Sequence, residues 1–367
     1  MKLIILKNNL LEGLTTLEKA VGNNTNLPIL RNFLIQTEGN KITLISTDLE
    51  IAVKYFLSGK IIENGKLTVP FFIVNTIAKN LTSERVNLET KEKKLLIKTD
   101  NYEATIQGQD PEEFPIIPKI SNQDKFFKFK LATFKENLAK VLAASQYSNI
   151  RQEINGVFFK YEEKTLKLAA TDSFRLAEKT YNQDQLESNF EKISFILPLK
   201  TAYEILRIPD GQEIIVFIDA NQVLFKTENQ EIISRLIDGH FPDYQSVIPK
   251  EFKTELRINR EELIKAIKLT SVFSGGTNDI SLKISDNKKF LEIYSNSDQL
   301  GENRYLIPVK LKGEPFSLVL NWRYFIDGLK IYQTEEIDLG INEADRPLLI
   351  KSSNDSSLFY ILMPLKS

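Results

Sequence analysis

The stretch INGVFFKYEEKTLKLAATD, residues 154–172, has the pattern of a β-hairpin. Apolar and polar side chains alternate on both sides of a polar turn, as expected for two strands that each bury one face. The pattern recurs after Asn32 in RNFLIQTEGNKITLISTD and after Asn278 in TNDISLKISDNKKFLEIYSN. Asn32, Asn155 and Asn278 are spaced by 123 residues, so the hairpin belongs to an internal repeat.

Three further features recur in the same order, with steps of up to 129 residues. Each hairpin is preceded by a helical pattern with apolar residues at i, i+4 and i+7. These faces are Leu10, Leu14 and Leu17; Phe134, Leu138 and Val141; and Leu263, Ile267 and Thr270. A strand then runs into a second helix, with Pro70 and Pro198 expected in its first turn and Asn321 as its cap. A closing hairpin ends each copy, at Phe114-Pro115, Phe241-Pro242 and Met363-Pro364.

Four features in one order predict an α+β protein of three tandem copies of one domain. Each copy is expected to hold two helices and about eight antiparallel strands. The polar stretches SNQDK and PKEFK mark the junctions, so the predicted domains are residues 1–122, 123–250 and 251–367.

The composition of the 367 residues is that of a globular protein, with 42% hydrophobic and 26% charged residues. There is no cysteine, which excludes disulfides and a thiol nucleophile. No apolar stretch approaches the roughly 18 residues of a membrane span. The start of the sequence lacks a small-residue cleavage site, so we expect no signal peptide and a cytoplasmic location.

The net charge of −1 argues against a free-standing basic nucleic-acid binder. Basic residues are nevertheless enriched on the second helices, while the remainder of the chain is more acidic. If these helices share one face, that face attracts phosphate groups. No pair of arginines lies on a pattern typical of base recognition, so sequence-specific readout is not expected.

The sequence offers little for catalysis. His240 is its only histidine, and neither a zinc motif nor a phosphate-binding glycine loop is present. Asp110, Glu112 and Glu113 form a carboxylate cluster in a predicted turn between copies, where solvated acids are common. We therefore predict a non-catalytic protein without metal or cofactor, with a hydrolase that uses Asp110 and Glu113 as a weaker alternative.

Four stretches carry a resemblance to a known family: LPILRNFLI (27–35), TDSFRLAEKT (171–180), RLIDGHFPDYQSVIP (235–249) and YILMPLKS (360–367). Together with the threefold repeat, they make the chain similar to the bacterial sliding clamps, the β subunits of DNA polymerase III. The resemblance implies three clamp domains per chain and a head-to-tail homodimeric ring around double-stranded DNA. It also implies a processivity factor without catalysis, associated with the nucleoid and not with membranes.

The same resemblance implies partners and sites. The partners are the polymerase III α subunit, the clamp loader and other proteins with a clamp-binding motif, which insert an apolar peptide into a pocket. The positions that match this pocket are Arg151, Ile154, Thr171, Ser173, Phe174, Arg175, Leu176, Pro242, Val247, Asn321, Tyr324, Ile361, Met363, Pro364 and Leu365. The expected DNA-facing residues are Asn24, Lys79, Lys200, Arg207, Arg323 and Lys330. The expected dimer interface holds Ala104, Ile106, Val272 and Phe273.

Two departures from the family concern the pocket. Phe174 stands where a polar or hydroxyl-bearing residue is usual, and Lys366-Ser367 stands where Arg-Leu is usual. The alternative that the sequence leaves open is a monomeric three-domain β-rich scaffold or binding protein without a DNA role.

Overall fold

A computed structural model describes residues 1–22, 26–120, 123–284 and 289–365. Asn24 and the pair Lys366-Ser367 lie outside the described residues. The described residues form six α-helices, two in each predicted copy: α1 (Lys7–Leu17), α2 (Phe71–Asn80), α3 (Leu131–Leu142), α4 (Leu199–Leu206), α5 (Arg260–Thr270) and α6 (Trp322–Lys330).

Each copy also holds nine β-strands within the described ranges. The first nine are β1 (Lys2–Leu6), β2 (Asn32–Glu38), β3 (Lys41–Thr47), β4 (Ile51–Leu57), β5 (Gly59–Glu63), β6 (Lys66–Pro70), β7 (Arg85–Lys91), β8 (Lys94–Lys98) and β9 (Glu103–Gln107). The second nine are β10 (Phe126–Lys130), β11 (Gly156–Glu162), β12 (Thr165–Thr171), β13 (Arg175–Tyr181), β14 (Glu187–Ser188), β15 (Ile193–Pro198), β16 (Glu213–Asp219), β17 (Gln222–Lys226) and β18 (Gln230–Arg235). The third nine are β19 (Thr254–Asn259), β20 (Asp279–Ile284), β21 (Phe290–Ser297), β22 (Gly301–Pro308), β23 (Lys310–Gly313), β24 (Ser317–Asn321), β25 (Glu336–Ile341), β26 (Leu348–Ser352) and β27 (Asp355–Leu362).

The predicted repeat is confirmed in its helices and hairpins. All nine residues of the three predicted helix faces are buried, because the 3.6-residue period places them on the side that faces a sheet. The hairpins β2–β3, β11–β12 and β20–β21 follow the three asparagines, and the closing hairpins are β8–β9, β17–β18 and β26–β27.

The prediction for the two prolines is wrong by one position. Pro70 and Pro198 end the strands β6 and β15, and the helices begin at the next residue. Proline fits there because its backbone dihedral suits extended chain and it has no N–H to leave unpaired at the helix start. Asn321 caps α6 as predicted, and its Oδ1 accepts from the backbone N–H of Arg323 at 3.0 Å.

The described chain divides into two compact units. Unit 1 comprises Met1–Ala132, Glu187–Phe190 and Arg207–Leu236. It contains a five-stranded sheet in the order β5-β1-β7-β8-β9 and a nine-stranded sheet in the order β14-β10-β16-β17-β18-β4-β3-β2-β6. The second sheet therefore combines strands of the first two copies.

Unit 2 comprises Thr133–Leu186, Glu191–Leu206 and Ile237–Ser367. Its nine-stranded sheet has the order β15-β11-β12-β13-β27-β26-β25-β19-β23, and its four-stranded sheet has the order β22-β21-β20-β24. The larger sheet combines strands of the second and third copies. The second copy thus supplies strands to a sheet in each unit.

One type of junction joins copies within each nine-stranded sheet. The last strand of a copy pairs antiparallel with the fourth strand of the preceding copy, as β18 does with β4 and β27 with β13. The last strand of the first copy, β9, and the fourth strand of the third copy, β22, take no part in a junction of this type. Within the described residues, each of these is the edge of its sheet.

Candidate partner-binding site

A Thr-Asp pair shapes the turn that joins β12 to β13. Asp172 Oδ1 accepts from the backbone N–H groups of Phe174 at 2.9 Å and Arg175 at 3.0 Å. Thr171 Oγ1 donates to the backbone oxygen of Arg175 at 2.6 Å. Ser173 takes a left-handed conformation with φ of 78°, which turns the chain sharply and leaves Phe174 57% exposed.

The first copy builds the same turn from Thr47 and Asp48. Asp48 Oδ1 accepts from the N–H groups of Glu50 and Ile51, and Leu49 has φ of 78°. The repeated Thr-Asp pair therefore encodes a turn that precedes the junction strand, which is why it recurs in the sequence.

Arg175 joins this turn to helix α6. Its guanidinium is only 7% exposed, with Nε 2.8 Å from Asp172 Oδ2 and NH1 2.7 Å from Asp327 Oδ2. The guanidinium carbon lies 4.2 Å from the ring centroid of Tyr324. Burial opposes the charge, but the surrounding oxygen atoms outweigh it and raise the pKa of Arg175. The cation is therefore a fixed part of the site and cannot be replaced by a neutral group without cost.

Helix α6 is held against β27 by a glycine and a tyrosine. Tyr360 is buried, and its hydroxyl donates to the backbone oxygen of Tyr324 at 2.9 Å. A Cβ atom at Gly328 would lie 2.5 Å from two ring carbons of Tyr360. The missing side chain thus allows the close approach that places Tyr324 and Asp327 beside Arg175.

We expect Gly328→Ala to lower the free energy of unfolding by about 1–3 kcal/mol, because the added methyl overpacks the contact with Tyr360. This loss is expected even though alanine favours a helix by about 1 kcal/mol over glycine. Urea unfolding of the full chain measures it. Gly276→Ala is the matched control, since its Cβ would meet nothing within 4 Å. Equal stability of the two variants would contradict the close-approach explanation.

The residues after β27 are tied to the same region by their backbone. The N–H of Met363 donates to the backbone oxygen of Phe174 at 2.8 Å, and the N–H of Leu365 donates to that of Val319 at 2.8 Å. The side chains of Met363, Pro364 and Leu365 are each partly exposed. An apolar segment is therefore fixed beside the turn with its side chains accessible to a ligand.

The other face of β13 is apolar. Leu176 and Ile361 are opposite each other in the β13–β27 register and are buried in one cluster with Tyr244. Phe241 packs beside them, stacked on Phe158 with ring centroids 4.9 Å apart. Adjacent residues of a strand point to opposite faces, so Arg175 and Leu176 serve different halves of the site.

All predicted pocket residues lie in unit 2. Ile154, Leu176 and Ile361 are buried and support the site from within, whereas Val247 is exposed at the end of a single 3₁₀ turn that begins at Tyr244. Arg151 reaches the turn by donating from NH1 to Ser173 Oγ at 3.0 Å. Pro242 accepts from the N–H of Tyr244 at 2.7 Å through its backbone oxygen.

The residues predicted to face DNA lie on or directly after the second helix of each copy. Lys79, Arg207, Arg323 and Lys330 are exposed, and Lys200 is partly exposed. Asn24 lies outside the described part of the chain.

The predicted interface residues belong to the two sheet edges and their surroundings. Ala104 and Ile106 lie on β9, where the side chain of Ile106 is buried. Val272, 65% exposed, and Phe273 lie in the 3₁₀ turn that follows α5.

The carboxylates considered for hydrolysis are engaged in a turn. Asp110 accepts from the N–H of Glu112 at 3.0 Å and pairs with Lys93 at 3.2 Å. These contacts lower the pKa of Asp110, the opposite of what a general acid requires. Glu112 pairs with Lys66. Their geometry therefore explains the cluster as a capped, solvated turn.

The described ranges hold neither a cluster of metal-ligating side chains nor a helix suited to cross a membrane. No group of three or more His, Asp and Glu side chains there is placed to hold a metal ion. No helix in those ranges combines the length and apolar character needed to cross a bilayer.

Comparison with known proteins accounts for nearly the whole chain. Family models of the DNA polymerase III beta subunit match in chain order: the N-terminal domain at residues 1–118, the central domain at 128–243 and the C-terminal domain at 245–366. The chain belongs to the DNA polymerase III β-subunit family.

Individual members of this family are similar to this chain over their full length. The beta sliding clamp of Bacillus subtilis is 28% identical over 380 residues, covering 100% of both chains. The solved sliding clamp of Bacillus subtilis matches with a TM-score of 0.94 and 27% identity, covering 100% of this chain and 99% of the other. The β subunit of Thermotoga maritima matches with a TM-score of 0.91 and 28% identity at the same coverage.

The family and the α+β fold of three tandem clamp domains, both predicted from the sequence, are thereby confirmed. The predicted function of a DNA sliding clamp is supported by the same matches, and a scaffold without a DNA role is not favoured.

The sequence analysis did not identify three residues that position Arg175 and α6 in the partner-binding site: Asp172, Asp327 and Tyr360. Asp172 had a signal, because its Thr-Asp pair repeats in the first copy. Asp327 and Tyr360 had no such signal. Asp327 contacts Arg175 from 152 residues away in the chain, and Tyr360 holds α6 by donating to the backbone oxygen of Tyr324.

Proposed function

We propose that this β subunit acts as a head-to-tail homodimeric ring that encircles duplex DNA. The observation that carries the proposal is the pair of sheet edges left by the repeat. Each copy can offer its last strand to the fourth strand of another copy, and two such junctions form within the chain. Strand β9 and strand β22 are equivalent to the joined strands but lie at sheet edges. Two identical junctions between two chains, each joining β9 of one chain to β22 of the other, would use all four edges and close a ring.

The register of the proposed junction follows from the two junctions inside the chain. Ile232 pairs with Val53 and Ser234 pairs with Ile51 where β18 meets β4. By the repeat, Ala104 of one chain then faces Asn303 of the other.

Apolar surface beside β22 suits such an interface. Helix α5 packs on β22. Three exposed aliphatic side chains lie here: Leu269 on α5, Val272 in the turn after α5, and Leu306 on β22. Exposed aliphatic residues on and beside an unpaired edge strand are typical of a surface that a partner covers. We place the ring interface at this patch together with β9, Ala104, Ile106 and Phe273.

We further propose that the basic residues of the second helices contact DNA without reading bases. Lys79, Arg207, Arg323 and Lys330 are long, exposed cations. Such side chains bind phosphate by charge, and the contacts weaken with salt. A chain of net charge −1 with exposed cations on or beside its second helices suits weak contacts that permit sliding.

The site around Arg175 is proposed to bind the apolar motif peptides of the polymerase III α subunit, the clamp loader and other partners. The accessible side chains of Phe174, Val247 and Met363 provide apolar contact, while Arg175 and Tyr324 provide a fixed polar wall. Such a mixture of apolar surface and few polar groups suits a short peptide. Binding here tethers a partner to the ring and raises its concentration at the template.

We propose that the clamp domains are divided at residues 122 and 250, that the chain is non-catalytic, and that it works in the cytoplasm at the nucleoid.

Retention on circular DNA tests the ring. We expect the clamp, once loaded on nicked circular duplex, to stay bound through gel filtration and to be lost when the circle is cut by a restriction enzyme. The physical reason is that a closed ring is held by topology, so only a free DNA end releases it. The measurement is the amount of clamp that elutes with DNA.

An uncut circle treated with the same enzyme, but lacking its site, is the control. Equal loss of the clamp from cut and uncut circles would contradict encirclement and favour the monomeric alternative.

A further inference from the structure

Residues 238–250, which join the second copy to the third, form a connecting segment that belongs to no sheet. Its one regular element is the 3₁₀ turn Tyr244–Val247. The segment carries Pro242 and Val247, two of the residues that we place in the partner-binding site. Whatever holds the segment in position therefore decides where these two residues lie.

Hydrogen bonds hold the two ends of the connecting segment but hardly its middle. The backbone of Ile237, just before it, and that of Glu251, just after it, are hydrogen-bonded to other parts of unit 2. Within the described ranges, a single hydrogen bond joins residues 238–250 to the rest of the chain, and in it the Tyr244 hydroxyl donates to Glu178 Oε2 at 2.6 Å.

Tyr244 is also the one buried residue of the connecting segment. Its ring meets Phe158 and Phe241 edge-on, with centroids 6.4 Å and 5.9 Å away. Such apolar contacts are not directional, whereas a short hydrogen bond to a carboxylate fixes both distance and direction. Burial, followed by the charge of Glu178 and the hydrogen bond to it, raises the pKa of Tyr244, so the phenol stays a donor.

The acceptor, Glu178, is a buried carboxylate on β13. The residue is only 4% exposed and lies two positions after Leu176, so both side chains point to the same face of the sheet. Its other oxygen, Oε1, lies 3.4 Å from the ammonium of Lys167, which compensates the buried charge. Oε2 is thus held in place to receive the Tyr244 hydroxyl.

The repeat shows why this carboxylate is available. In the first copy the equivalent residue, Lys54 of β4, lies opposite Glu231 of β18 and forms an ion pair with it at 3.6 Å. In the second copy the residue opposite Glu178 is Phe359 of β27, which has no charge to offer. The junction with β27 therefore leaves the carboxylate to the connecting segment.

Tyr244 is coupled to both partner-site residues of the segment. Its N–H donates to the backbone oxygen of Pro242 at 2.7 Å. Val247 follows three residues later in the same 3₁₀ turn, which is one full turn of such a helix. Because Val247 is 49% exposed, its position depends on the turn and hence on Tyr244.

We propose that Glu178 is a positioning residue of the partner-binding site, which fixes the connecting segment with Pro242 and Val247 through the Tyr244 hydroxyl. Glu178 itself does not contact the partner peptide. This inference rests on the proposed function of the site and adds to it a group that sets affinity from beneath. A loose segment would have to be ordered when the peptide binds, and that loss of conformational freedom weakens binding.

Peptide affinity of the full chain tests the role of the hydrogen bond. Fluorescence anisotropy measures it with a fluorescein-labelled peptide that carries the clamp-binding motif of the polymerase III α subunit. Tyr244→Phe and Glu178→Leu each remove the hydrogen bond and should weaken binding about tenfold. Glu178→Gln keeps an acceptor oxygen and should stay within about threefold of the unmodified chain.

Tyr294→Phe is the matched control, because Tyr294 donates to Glu302 at the same distance of 2.6 Å but outside the partner-binding site. Its peptide affinity should equal that of the unmodified chain. Unchanged affinity in Tyr244→Phe, or a loss in Tyr294→Phe of the same size, would overturn the proposal.

A double-mutant cycle separates positioning from a general loss of stability. Val247→Ala should weaken peptide binding in the unmodified chain but have little further effect in the Tyr244→Phe chain, where Val247 is no longer held in place. A general loss of stability would not produce this coupling. If Val247→Ala had the same effect in both chains, the segment would keep its position without the hydrogen bond, and the proposal would be rejected.

Proteolysis tests the anchor in the absence of peptide. Chymotrypsin cleaves after tyrosine and after phenylalanine, so residue 244 remains a cleavage site in Tyr244→Phe. We expect cleavage after residue 244, followed by mass spectrometry, to be about tenfold faster in Tyr244→Phe than in the unmodified chain or Tyr294→Phe.

The two measurements also separate this inference from the proposed function. If the unmodified chain failed to bind the peptide while the cleavage rates still differed, the proposed partner site would fail but the anchoring of the segment by Glu178 would stand. Equal cleavage rates in the unmodified chain and Tyr244→Phe would reject the anchoring itself.

Discussion

Replacement of Arg175 by alanine is expected to lower the free energy of unfolding by about 3–5 kcal/mol. The guanidinium is nearly buried, so its loss leaves the Asp172 carboxylate, which is only 5% exposed, without its cationic partner. The ion pair with Asp327, which is 44% exposed, is also lost. The stacking on Tyr324 is lost as well. Urea unfolding of the full chain measures the change.

The same variant should bind a clamp-motif peptide at least tenfold more weakly, because Arg175 holds both the 172–174 turn and α6 in place. Fluorescence anisotropy of a labelled peptide measures this affinity. Arg257→Ala is the matched control, since Arg257 also pairs with a carboxylate, Asp338 at 2.7 Å, but at an exposed position. If the two variants had equal stability and equal peptide affinity, the buried cation would not organise the site.

A charge at position 272 is expected to separate the proposed dimer into chains of 42.1 kDa. Val272→Glu would place a carboxylate in the apolar patch beside β22, where dimerisation removes it from water without an evident partner. We expect the dimer dissociation constant to rise about 100-fold or more. Light scattering over a range of concentrations gives the mass directly.

The folding of each chain should survive this change, because Val272 is already 65% exposed in the single chain. Ile116→Glu is the control, since Ile116 is 95% exposed and lies outside the patch. A dimer that withstands Val272→Glu, or one that Ile116→Glu disrupts equally, would contradict the interface placed at the β22 edge.

Much of the fold could be predicted because its signals are local. The apolar spacing of Leu10, Leu14 and Leu17 predicts a helix, and the alternation after Asn155 predicts a hairpin. The threefold recurrence of these patterns then strengthens each assignment, since an error in one copy is corrected by the other two. The family could be predicted for the same reason, from motifs spread over the full chain.

The features that escaped prediction depend on contacts between distant segments. The division of the second copy between two sheets follows from the β18–β4 and β27–β13 pairings, which no local pattern reveals. The contact of Gly328 with Tyr360 is likewise a consequence of packing. A glycine carries no marker in the sequence for such a role.

The strands that copies exchange also bear on how this chain can be built and cut. The second copy, taken by itself, would keep β18 and β13 but lose the neighbours that cover them. Two bare edges of this kind invite association with any other open strand. The unit that is repeated in the gene product is therefore smaller than the unit that folds. Residues 133–236 alternate between units 1 and 2, so no single cut separates the two sheets. Truncations at the period of the repeat are therefore expected to give fragments of low solubility.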